Sequence, residues 1–233
     1  HFLLCFRRSM DLMSVSNITT QEELTKISSY VSKQIKSKFG KGPETCYTSI
    51  SDQYIVVHIK NFMTKIEYEL IQKGENETAE KIRTSIMGDL LISIQETLVE
   101  LSNKKINQLY QDWNFQNNTG VLLAEVFQEP MIPAENTLEF MLLRNEISKQ
   151  SEFYRYQPNE LDLTKIGSMI YIIRCAGYLL PIERLLIEKG MHIIKERENK
   201  VRKNYNANKK RFNKITNKEI ADIFMIWDYD NDL

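Results

Sequence analysis

Gly40-Lys41-Gly42-Pro43 is the stretch of this chain whose residue types come nearest to a binding chemistry. Two glycines leave backbone amides bare and the lysine between them adds a cation, the means by which glycine loops hold an anion or a nucleotide phosphate. The stretch lacks the length and the Lys-Ser/Thr ending of a phosphate loop, and it follows a helical segment instead of opening one. A helix stop that feeds a strand is the favoured reading. A small-ligand or anion site at Gly40, Lys41, Gly42 and Pro43 is the alternative.

Carboxylates offer less. Glu67 and Glu183 fall at equivalent places in two similar stretches, which would suit a symmetry-related acid pair. Each also lies in the first turn of a helix, where free backbone N–H groups and the helix dipole draw a carboxylate. Thr64-x-x-Glu67 has the form of a capping box, and Pro181 at the first helical position, followed by Glu183, starts a helix by another device. Thr64, Glu67, Pro181 and Glu183 are therefore read as helix-start residues. His1, His58 and His192 share no metal spacing, and no Ser/His/Asp or Cys/His set can be assembled. The sequence thus assigns no catalytic residue, metal ligand or cofactor, and favours a protein that is not an enzyme. Trp113 and Trp227 read as core or interface anchors, with a stacking platform for a base or ring as the alternative. The basic run from Lys195 to Lys218 could touch an anionic surface, but Glu196, Glu198, Glu219 and several asparagines dilute it into a solvated helix face.

The elements that carry these residues come in two copies. FMTKIEYELIQKG, Phe62 to Gly74, recurs in degraded form as YLLPIERLLIEKG, Tyr178 to Gly190, and 182 − 66 and 190 − 74 both give 116. A fixed register is the mark of a repeated module. In the first copy Leu24, Ile27, Val31, Ile35 and Phe39 predict a helix from Thr20 to Phe39, capped by Thr19 or Thr20 and stopped where Gly40 and Gly42 supply positive φ. Strands follow at Cys46 to Ile50 and Tyr54 to Lys60, the second apolar on both faces and so central. After the capping box, Gly74 breaks the path and the stripe Ala79, Ile82, Ile86, Leu90, Ile94, Leu98, Leu101 predicts a long helix. Lys105 to Phe115 and Val121 to Phe127 are strands joined by a hairpin loop ending at Gly120.

The second copy repeats this order with losses. A helix from Thr137 presents Leu138, Met141, Leu142, Ile147 and Phe153; strands Leu161 to Ile166 and Met169 to Ala176 turn at Gly167-Ser168. After Met191 and Ile194 the long helix keeps only Val201, Tyr205 and Phe212 on its apolar face. Trp227 repeats Trp113 at an offset of 227 − 113 = 114, and the chain stops before a closing strand. The edge so left is one that a strand of this chain or of another could cover. The expected fold is α+β, two tandem α-β-β-α-β-β modules of small antiparallel sheets with helices packed on one face. Residues 1–18 are a lead-in, 19–129 the first module, 130–136 the linker and 137–233 the second module without its last strand. HFLLCFRRSM is read as a frayed lead-in or as residues ahead of a start at Met10 or Met13, with a peripheral membrane anchor as the alternative.

Composition narrows the classes further. Hydrophobic residues at 42% and charged residues at 27% in 233 residues are those of a globular protein with a sizeable core. Lys+Arg and Asp+Glu are both 31, so no excess of positive charge draws phosphate backbones, and nucleic acid is not the favoured partner. Cys5, Cys46 and Cys175 are odd in number and far apart, which fits a reducing cytosol. The longest apolar runs have strand length, and no transmembrane segment is predicted.

Phe39-Gly40-Lys41-Gly42-Pro43, then strand, turn and Ile55-Val56-Val57, then Phe62-Met63-Thr64-Lys65-x-Glu67 resembles the bacterial Mps-C family, named for a component of the sodium-translocating, membrane-potential-generating system. The resemblance covers Leu24 to Phe127, and the second module looks like a diverged copy. It implies a small cytosolic protein of a bacillus-like bacterium tied to a membrane cation or inorganic-carbon transport system, an accessory and not the translocator. It brings no catalytic residues with it. The expectation is a non-enzymatic accessory or regulatory protein in the cytoplasm or peripheral to the membrane. Its partner is a transport complex, or a second copy joined through the open edge of the second module. A ligand sensor at the Gly40–Pro43 loop and an enzyme of unknown chemistry are the alternatives.

Overall fold

The computed structural model describes residues 2–7, 21–127, 137–153, 158–177, 179, 181–189 and 194–229. Its elements in chain order begin with β1 (Phe2–Arg7), α1 (Gln21–Phe39), β2 (Thr45–Ile50), β3 (Tyr54–Lys60), α2 (Lys65–Gln72), α3 (Asn76–Ser102), β4 (Ile106–Asn114) and β5 (Thr119–Val126). They continue with α4 (Leu138–Phe153), β6 (Glu160–Ile166), β7 (Ile170–Ala176), α5 (Pro181–Glu188), α6 (Ile194–Ala207), α7 (Lys209–Thr216) and β8 (Ile220–Ile226). The fold is α+β, and the chain divides into a unit of Val15–Met131 and a unit of His1–Ser14 with Ile132–Leu233.

In the unit Val15–Met131 the strands form an antiparallel sheet in the order β2-β3-β5-β4. Leu24, Ile27, Val31 and Ile35 are the buried stripe of α1, at the three-and-four spacing of one helix face. Ile27, Val31 and Ile35 meet Ile55, Val57 and Ile59 of β3, Leu122, Ala124 and Val126 of β5, and Ala79, Met87, Leu90, Ile94 and Leu98 of α3 in one core. Each such side chain contributes about 1.5–3 kcal/mol by leaving water. Tyr54 to Ile59 are buried on both faces, as a central strand requires. The expected caps Thr19 and Thr20 lie outside the described residues.

Three details depart from expectation. The buried face of α3 carries Arg83 and Met87, while Ile82 is 40% exposed, because the arginine has a carboxylate and aromatic rings to meet inside. Gly40 has φ +71, but Gly42 is not in the left-handed region. Its constraint is crowding, since a Cβ there would lie 3.2 Å from Lys36 Cβ. In the β4–β5 hairpin the left-handed residue is Asn118, φ +53, and Gly120 sits inside β5 directly opposite Trp113. A Cβ on Gly120 would come within 2.2 Å of Trp113 Cε3, so the glycine makes room for the indole.

The second unit has the same sheet order with one substitution of origin. Its strands run β6-β7-β1-β8, all antiparallel, and β1 fills the inner place that β5 holds in the first unit. Leu3 pairs with Ile173 on one side and Met225 on the other, and Leu4 with Ile172 and Phe224. The expected lead-in of residues 1–18 and the second module without a closing strand are corrected together: residues 2–7 are that strand. The edge offered to a partner is occupied by the chain itself, because Leu3, Leu4, Cys5 and Phe6 are buried there and their backbone groups pair on both sides.

The buried face of α4 is also shifted. Leu143 and Ile147 are buried with Glu146, Gln150 and Ser151, whereas Leu138 and Met141 are 71% and 55% exposed. The polar positions are tolerated because they bond one another: Gln150 Nε2 donates to Glu146 Oε1 at 2.8 Å, and Asn204 Nδ2 donates to Gln150 Oε1 at 2.5 Å. Val201, Tyr205 and Phe212 are buried as their spacing predicts, but the long helix is two helices, interrupted at Asn208. It ends at Asn217, φ +49, as α3 ends at Asn103, φ +51, an offset of 217 − 103 = 114. The linker 130–136, Tyr154–Gln157 and Met191 lie outside the described residues.

Candidate functional site

The start of α2 gathers the site residues that the sequence singles out. Thr64 accepts a bond from Glu67 N at 3.3 Å on its hydroxyl, and Thr64 N donates to Glu67 Oε2 at 2.7 Å, which completes the capping box. The same carboxylate faces α3. Arg83 Nε donates to Glu67 Oε1 at 2.6 Å and Arg83 Nη2 to Oε2 at 2.8 Å, a two-pronged ion pair with neither side chain open to water. The guanidinium carbon lies 4.1, 4.2 and 4.6 Å from the ring centres of Phe39, Phe62 and Trp113. Burial pulls the Arg83 pKa down, and the bond to Glu67 and its charge oppose that pull. Glu67 is thus a helix cap and the counter-charge of a buried arginine, and its two oxygens are occupied by those roles.

The Gly40–Pro43 loop adjoins this cluster. Lys41 Nζ donates to the Met63 carbonyl at 2.6 Å, Asn118 Oδ1 accepts from Met63 N at 2.9 Å, and Asn61 N donates to the Asn118 carbonyl at 2.7 Å. The segment leading into α2 is therefore held by the loop after α1 and by the β4–β5 hairpin. Lys41, Met63, Thr64, Lys65, Tyr68, Glu69 and Asn118 line an open depression of about 340 Å³. It brings together two cations, one carboxylate and a helix start, a surface able to meet a small anion.

The second unit repeats the pair. Glu183, in the first turn of α5 behind Pro181, bonds Arg197 Nη1 of α6, and the Arg197 guanidinium stands 5.8 Å from the Trp227 ring centre. The offsets 183 − 67 = 116, 197 − 83 = 114 and 227 − 113 = 114 relate the Glu, Arg and Trp residues of the two units. Sequence reasoning missed Arg83 and placed Arg197 among solvated basic residues. Their common offset with the tryptophans was the signal. Trp113 is a core anchor and not an open stacking surface, since Phe62 meets it edge-to-face at 4.7 Å and Arg83 covers a face. The basic residues of α6 and α7 are largely engaged locally: Arg202 Nη2 donates to the Met225 carbonyl at 3.3 Å, Lys209 Nζ to the Ala221 carbonyl, and Lys200 pairs with Glu196.

Residues 19–128 match the family model described as Na+-translocating membrane potential-generating system (MpsC). The first module belongs to the MpsC family. The match takes in the MpsC unit from α1 to β5, including Lys41, Glu67, Arg83 and Trp113. Comparison with curated proteins and with solved structures finds no match for the chain. Among the described residues no helix is long and apolar enough to cross a membrane, and no three His, Cys, Asp or Glu side chains cluster to hold a metal ion.

Proposed function

We propose that the protein is a non-catalytic accessory of a membrane sodium-translocating system, acting from the cytoplasmic side through protein contacts. The membership of residues 19–128 in the MpsC family carries this reading. The chemistry at the start of α2 agrees with it, because Glu67 and Arg83 neutralise each other inside the fold and act as architecture. The test is affinity capture of the full, tagged chain from detergent-solubilised membranes of its own organism. A protein of a sodium-translocating membrane complex, identified by mass spectrometry, supports the proposal; capture without any such protein overturns it.

A second reading, anion sensing at the Gly40–Pro43 loop, draws on Lys41 and Lys65 at the rim of the depression. The bond from Lys41 Nζ to the Met63 carbonyl weighs against it, since an anion would have to compete for that ammonium. Thermal shift with phosphate and nucleotides decides: a shift that Lys41→Ala removes supports the sensor, and no shift with any of them excludes it at this loop.

A further inference from the structure

Among the described strands, β1 is an inner strand with both of its partners far away in sequence. Leu4 pairs with Ile172 and Phe224, partners 172 − 4 = 168 and 224 − 4 = 220 positions away. The unit Val15–Met131, with its own sheet and core, intervenes. The corresponding inner strand of that unit, β5, is joined to β4 by a four-residue turn that fixes its partner. No hairpin fixes β1. It is held by backbone pairing on both sides and by the burial of Leu3, Leu4, Cys5 and Phe6.

Those interactions are local to the slot and are available in full from the same strand of another chain. The slot also selects for that strand. Phe6 stands edge-to-face with Phe224 at 5.4 Å, Leu3 and Cys5 enter the core with Tyr171, Ile173, Ile223 and Met225, and the register against β8 shifts between Phe6 and Arg7. An unrelated strand would have to reproduce that side-chain alternation and that irregularity. We infer that the slot between β7 and β8 accepts β1 from a second copy of this chain, so that two copies exchange N-terminal strands in a reciprocal dimer.

Closed and exchanged forms make the same contacts in the slot, so their balance is set by tethering. Residues 8–20 join β1 to α1, and thirteen residues reach at most about 45 Å when fully extended. The connection from β1 to its slot runs through those residues, the folded unit Val15–Met131 and the stretch up to α4 in series, so it is long, and exchange grows as protein concentration approaches the effective concentration that this connection sets.

The test uses the full chain with Cys46→Ser and Ile223→Cys, which sets a thiol opposite Cys5. Cross-strand pairs have Cα atoms about 4.5–5.5 Å apart, within the range a disulfide spans. After incubation at increasing concentration and catalysed oxidation, closed chains give an intrachain link and exchanged chains a reducible dimer. The dimer-to-monomer ratio should rise in proportion to concentration and vanish with Cys5→Ser. If Ile223→Cys does not fold, Leu3→Cys with Met225→Cys reports on the neighbouring pair. In parallel, unsubstituted chains bearing two different C-terminal tags should co-purify after the same incubation. Links confined to single chains at every concentration overturn the inference, as do mixed-tag dimers without the interchain link.

Discussion

Arg83 Nε lies 2.6 Å from Glu67 Oε1 with Arg83 fully buried and Glu67 2% exposed, so the charge pair that joins α2 to α3 is closed to solvent. Phe39 from the end of α1, Phe62 from the approach to α2 and Trp113 from β4 surround the guanidinium. One arginine thereby ties four segments of the MpsC unit together. The recurrence of Glu183, Arg197 and Trp227 shows that both units use this joint.

Breaking this pair should cost more than removing it. Glu67→Gln leaves a buried guanidinium without its counter-charge, and a loss of about 3–5 kcal/mol is expected. Glu67→Gln with Arg83→Met should lose less than the sum of the two single substitutions. Urea unfolding of the four proteins of the cycle measures the coupling, and strict additivity would contradict the role given to Arg83.

Gly120→Ala should be disruptive out of proportion to one methyl group, because the added Cβ would lie 2.2 Å from Trp113 Cε3 and 2.3 Å from Cζ3. Overpacking of this kind costs about 1–3 kcal/mol or more. A red-shifted tryptophan emission together with a lower Tm is expected. Gly88→Ala, where a new Cβ meets nothing within 4 Å, should leave both unchanged or gain slightly from helix propensity.

Leu4→Ala should loosen one unit and spare the other. Leu4 is fully buried between Ile172 and Phe224, and truncation of such a side chain costs about 2–5 kcal/mol. Hydrogen exchange should accelerate in β7 and β8 while β3 and β5 keep their protection. Equal acceleration in all four strands would contradict the assignment of β1 to its sheet.

Alkaline pH should destabilise the unit that holds Cys5 and Cys175. Burial pushes the Cys5 thiol up to about 12 and the Cys175 thiol up to about 11. An ordinary thiol ionises near 8.5, so the unfolded chain gives up these protons first. Stability from the two neutral thiols is complete below that value and is lost as pH rises from about 8.5 towards 11–12, by about 1.4 kcal/mol per pH unit for each cysteine. Cys5→Ala should flatten that slope in denaturant titrations between pH 8 and 11.

Much of the fold is legible along the chain. The three-and-four stripe of α1, the doubly apolar β3 and the Thr64–Glu67 capping box each arise from interactions among residues close in sequence or on one element face. Polar residues on buried faces are where that reading stops. Ile82 and Leu138 fit a helical stripe as well as Arg83 and Gln150 occupy one, and the choice turns on whether a buried polar group finds partners. Glu67 and Asn204 are those partners, and they lie on other elements. Lys41 is a similar case: the residue types of the glycine loop do not reveal that its ammonium bonds the Met63 carbonyl, 22 residues on.

The sequence by itself determined the α+β class and the helix starts at Thr64 and Pro181, because local propensity encodes them. Only the tertiary structure decided which residues close the second sheet and what neutralises Glu67. HFLLCFRRSM carries strand-length apolar burial, but nothing in it names Ile172 and Phe224 as its neighbours. Backbone pairing is open to any strand that reaches the slot, so the place of β1 is decided by the fit of Leu3, Leu4, Cys5 and Phe6 against residues of β7 and β8 that only folding brings together.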